Sequence, residues 1–67
     1  MAERTNTFLD DLQAARRGVV EERRRLAAAM ADKSGSDLMD FVDAIASVQL
    51  AVDAIDRAIG DEEQRRA

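Results

Sequence analysis

Cysteine, histidine, proline, tryptophan and tyrosine are all absent from these 67 residues. Without cysteine there is no disulfide framework and no thiolate nucleophile. Without histidine there is no imidazole base, no imidazole pH switch and no ordinary zinc site. Aromatic residues are reduced to Phe8 and Phe41, and glycine to Gly18, Gly35 and Gly60. Long hydrophobic runs are missing too. The longest uncharged stretch, Ala44 to Val52, is nine residues, where a membrane span needs about twenty. The opening Met-Ala-Glu-Arg-Thr-Asn-Thr has no apolar run of the secretory type, so a soluble cytoplasmic protein is expected.

What is present is charge, alanine and a small set of large aliphatic side chains. Ten Lys+Arg face fourteen Asp+Glu, giving a formal charge of −4. Hydrophobic residues make up 46%, but thirteen of them are alanine. A chain below about 70–80 residues rarely draws more than about 3–5 kcal/mol from its own core. With disulfides excluded and the usual metal ligands absent, regular helix packing or association with another chain must supply the remainder. The nine arginines against one lysine, with abundant Ala and Asp, suggest a GC-rich bacterial or phage gene.

Ala, Leu, Arg and Glu fill most positions and favour helix nearly throughout. In the second half, Leu38, Phe41, Ile45, Val48, Val52, Ile55 and Ile59 are spaced 3-4-3-4-3-4, an unbroken a/d heptad. Ala44, Ala51 and Ala58 flank this stripe, and Val42 widens its start. In the first half Leu12, Val19 and Leu26 recur every seven residues. Phe8, Ala15 and Ala29 occupy the intervening d positions with Glu22, and Leu9 and Met30 thicken the ends. Thr7 is a plausible N-cap with Asp10 in the first turn. Lys33-Ser34-Gly35-Ser36 separates the stripes, Ser36 is placed to cap the second helix, and Gly60 reads as a C′ glycine. The expectation is an all-α, two-helix antiparallel hairpin with helix 1 at about 7–32 and helix 2 at about 37–60. Residues 1–6 read as a flexible N-terminus and 61–67 as a polar tail. Gly18 is either a tolerated glycine or a kink dividing helix 1.

A lone hairpin covers only one side of each stripe. Two hairpins about a two-fold axis would bury the remainder in a four-helix bundle, so a homodimer is expected, or else a hairpin that binds a different protein. The candidate interface is Leu38, Phe41, Val42, Ile45, Val48, Val52, Ile55 and Ile59 with Leu12, Val19 and Leu26. As architecture alone, with no shared motif, this plan resembles the plasmid-encoded RNA-binding Rop protein.

Several clusters bear on chemistry. Arg16, Arg17, Arg23, Arg24 and Arg25 form a possible anion or nucleic-acid face, because a guanidinium forks two phosphate oxygens. Folding the hairpin about Ser34-Gly35 brings Asp53 and Asp56 near Arg16 and Arg17, and Glu21 and Arg25 are spaced i,i+4, so internal pairing competes. Asp32 to Asp43 resembles an EF-hand loop over twelve residues, which implies oxygen ligands at its positions 1, 3, 5, 9 and 12. It departs at position 6, Asp37 in place of Gly, and at position 12, Asp43 in place of Glu. Asp37, Asp40 and Asp43, with Asp53 and Asp56, lie off the a/d seam, and there is no histidine to complete a bundle di-metal site. Ser34, Ser36, Ser47, Thr5 and Thr7 have no histidine base, and Lys33 is the only lysine. The reading is therefore no enzyme, no cofactor and no metal. The chain is expected to be a small interaction or assembly module, an adaptor or accessory subunit. The alternative is a Rop-like nucleic-acid binder using the Arg16 to Arg25 face.

Overall fold

The computed structural model describes residues 7–66, and the expected flexible segment 1–6, Thr5 within it, and Ala67 lie outside the described residues. Two helices are formed, α1 at Thr7–Met30 and α2 at Gly35–Arg66, packed against each other as a hairpin. α1 is continuous through Gly18, so the kinked alternative is not adopted.

The turn has the expected four residues but sits two residues earlier, at 31–34. Ala31 donates to the Ala28 carbonyl at 3.4 Å and Lys33 to Met30 at 3.0 Å, three-residue bonds that narrow the end of α1. α1 thus stops at Met30 and not at 32. Gly35 has φ +60°, a left-handed conformation that other residues adopt only with strain. The first bond of α2 runs from the Leu38 N–H to the Ser34 carbonyl at 3.3 Å, so Ser34, not Ser36, holds the capping position. The Lys33 ammonium lies 5.8 Å from the centre of the Phe41 ring and lays the loop over the start of α2.

α2 also runs beyond Gly60, which is helical and not a C′ residue. Its last turns are polar, as expected of 61–67, but they are helix to Arg66. The reason lies across the hairpin. Arg16–Asp56 and Arg23–Gln49 are both symmetric about position 36, not about the Ser34-Gly35 bond. That register sets the first turn of α1, with Leu9 only 5% exposed, beside the residues just after Ile59.

The seam of α1 differs from the apolar count. Leu9 is buried while Phe8 is 71% exposed. Leu9, Leu12, Arg16, Val19, Arg23, Leu26 and Met30 are all buried or half-buried and spaced 3-4-3-4-3-4, whereas Ala15 is exposed. The expected d line of Phe8, Ala15, Glu22 and Ala29 therefore misses the seam at Phe8 and Ala15, which are exposed, while Glu22 and Ala29 are half-buried at its edge. Arginine explains the shift: its methylene stem covers apolar surface while its guanidinium reaches the edge.

Among the described residues only Leu9, Leu26 (9% exposed) and Val52 (2%) are buried. Leu12, Val19, Leu38, Phe41, Ile45, Val48, Ile55 and Ile59 are half-buried, and Val42 is exposed. The molecule measures 54 × 17 × 11 Å, with a radius of gyration of 15.8 Å. A compact chain of this length would have about 11 Å. It is a rod one helix layer thick.

Candidate functional site

A single layer of two helices has two faces, and here they differ in chemistry. The e-position side of the α2 heptad carries Gln49 and Asp56, and the arginines of the α1 seam reach across to them. Arg16 Nε donates to Asp56 Oδ1 and Arg16 Nη2 to Oδ2 at 3.3 Å, a bidentate fork. Arg23 Nη1 donates to Gln49 Oε1 at 2.6 Å, and Gln49 Nε2 donates to Asp53 Oδ1 at 3.1 Å. This bridged face ties the helices together at two levels, thirteen and twenty residues from the pivot.

The opposite face is open. A groove of about 390 Å³ runs between the helices, lined on α1 by Ala15, Gly18, Val19 and Glu22 and on α2 by Ser47, Val48 and Ala51. Small side chains make it. On α2 the g positions are Ala44, Ala51 and Ala58, and on α1 Gly18 leaves a gap that no described residue fills. A Cβ built on Gly18 meets nothing within 4 Å. Close packing inside the hairpin therefore does not account for this glycine, and in a helix interior it costs about 0.5–1 kcal/mol relative to Ala.

The five clustered arginines are mostly engaged within the chain. Besides Arg16 and Arg23, Arg24 pairs with Glu21 at 3.5 Å, and Arg25 Nε donates to Glu22 Oε1 at 3.0 Å. Both helical pairs are i,i+3, so the expected Glu21–Arg25 pair is not formed. Asp56 is met by Arg16 as expected, while Asp53 is held by Gln49, a residue the sequence reading passed over. The EF-hand expectation falls with the helix boundary. α2 already begins at Gly35, so nine of the twelve loop positions are helical. Among the described residues no group of three or more carboxylates could hold a metal ion.

The hydrogen bonds from Arg16 hold the Asp56 carboxyl below the usual carboxylate range, and those from Arg25 do the same for Glu22. A depressed carboxylate stabilises the fold above the unfolded-state value of about 3.9–4.3, and that contribution is lost as pH falls through the folded value. Asp56→Asn is therefore expected to lower the melting temperature slightly at neutral pH. Its difference from the parent chain should close as pH drops below about 4. Circular dichroism melts over this range test it, and a difference that persists in acid would mean the pair contributes nothing.

Among the described residues no helix is long and apolar enough to cross a membrane. No protein-family model, curated protein or solved structure matches this chain.

Proposed function

We propose that this chain is a small non-enzymatic interaction or assembly module, an adaptor or accessory subunit, that works by offering its open face to another protein surface. The observation that carries the reading is the uneven coverage of its seam. Three side chains are buried, while eight large residues of the stripes stay half-buried in the isolated hairpin. Stable domains bury such faces against a second layer, and this one has a single layer.

The nucleic-acid alternative would require Arg16, Arg23, Arg24 and Arg25 to leave partners they already hold.

The test is the melting of the chain at dilutions where light scattering gives a mass of 7.4 kDa. A module that needs a partner should show a broad, shallow transition there. A sharp cooperative transition at about 45–65 °C, ordinary for a self-sufficient small domain, would overturn the reading.

A further inference from the structure

We propose that the occupant of the open face is a second copy of this chain, docked about a two-fold axis that passes Gly18. This rests on the interaction-module reading and names its partner. Three observations carry it.

The first is area. The paired length of α1, 24 residues, is about 36 Å. Two helices side by side are roughly 20 Å wide, so the face offers on the order of 700 Å² before side-chain relief is added. That matches the roughly 800 Å² per partner of a stable interface. A single partner helix would cover about half of it, whereas another hairpin covers it all.

The second is Gly18. Its unfilled space lies on this face, and an approaching backbone is what a mid-helix glycine accommodates. Placing the axis there sets α1 antiparallel to its copy. The hairpin register puts Ala54 of α2 level with Gly18, so the α2 helices meet along Ala51, Ala54 and Ala58. The α2 contact is built from alanines, and the α1 contact from Gly18 and Ala15 with Glu22, held by Arg25, at its edge.

The third is charge. Asp11 and Arg25 sit seven residues either side of Gly18 on the same heptad line. About that axis Asp11 of each copy faces Arg25 of the other, twice, and each Arg25, which holds Glu22 of its own helix, would then bridge two carboxylates. A parallel pairing of the same line would set Asp11 against Asp11.

Light scattering over a dilution series should give twice 7.4 kDa for the parent chain. Gly18→Leu should give 7.4 kDa while keeping its helical signal, since Gly18 is exposed in the hairpin and a Cβ there meets nothing within 4 Å. Should that variant misfold, Ala54→Leu, exposed on α2 at the same level, replaces it. Asp11→Arg should weaken association by about tenfold, and adding Arg25→Asp should restore it. A parent chain that stays at 7.4 kDa overturns the second copy as partner; with a shallow melt, the module reading survives it. A Gly18→Leu chain that remains dimeric overturns this face, and a double variant that does not recover overturns the antiparallel register.

Discussion

Val52→Asp is expected to abolish the helical far-UV signal at room temperature. Val52 is the most enclosed side chain, 2% exposed, at the centre of the α2 heptad against α1. A carboxylate there loses its hydration and gains no cation, since the arginines of the seam are committed to Asp56 and Gln49. Burying an unpaired charge or polar group of this kind costs several kcal/mol, as much as a chain of this size has to spare, about 3–5 kcal/mol. An exposed acid on the outer side of α2 gives the control. Asp43→Ala should melt within experimental error of the parent. If Val52→Asp melts normally, the heptad does not face α1.

The second large effect tests the register of α1. Leu9→Ala and Leu26→Ala should each destabilise by about 2 kcal/mol, the lower end of the range for a buried Leu, because the sites lie near the edges of a thin seam. Leu50→Ala, at a position 70% exposed, should stay within about 0.5 kcal/mol. Urea titrations at fixed concentration read all three. Equal losses at Leu9 and Leu50 would mean that the observed α1 seam is not the one that holds the hairpin together.

The contrast between the helices shows what the sequence carries openly. α2 was legible because its seam is written in Leu, Phe, Ile and Val at heptad spacing, and the structure places all seven on the buried side. The hairpin itself followed from two stripes and one glycine-serine break. The α1 register did not follow, because Arg16 and Arg23 occupy seam positions that an apolar count leaves blank, and the exposed Phe8 and Ala15 filled the pattern one residue away. The bridged face was half legible. Folding the hairpin about its turn already brought Arg16 near Asp56, but Gln49 is uncharged and gave no pattern, although it links Arg23 to Asp53. The open groove was the least legible, since it is made of what is small on both helices and shows only when they are set side by side.

The common pivot at position 36 also governs how the chain closes on itself. The Arg23–Gln49 link encloses a separation of 26 residues and the Arg16–Asp56 link one of 40. Once the inner link is made, the outer one must close only the difference, fourteen residues, and not the full loop. Because closure entropy rises with the logarithm of loop length, each nested pair shortens the search for the next. Closure is therefore expected to begin at the Gly35 bend and to reach the far end around Leu9 last.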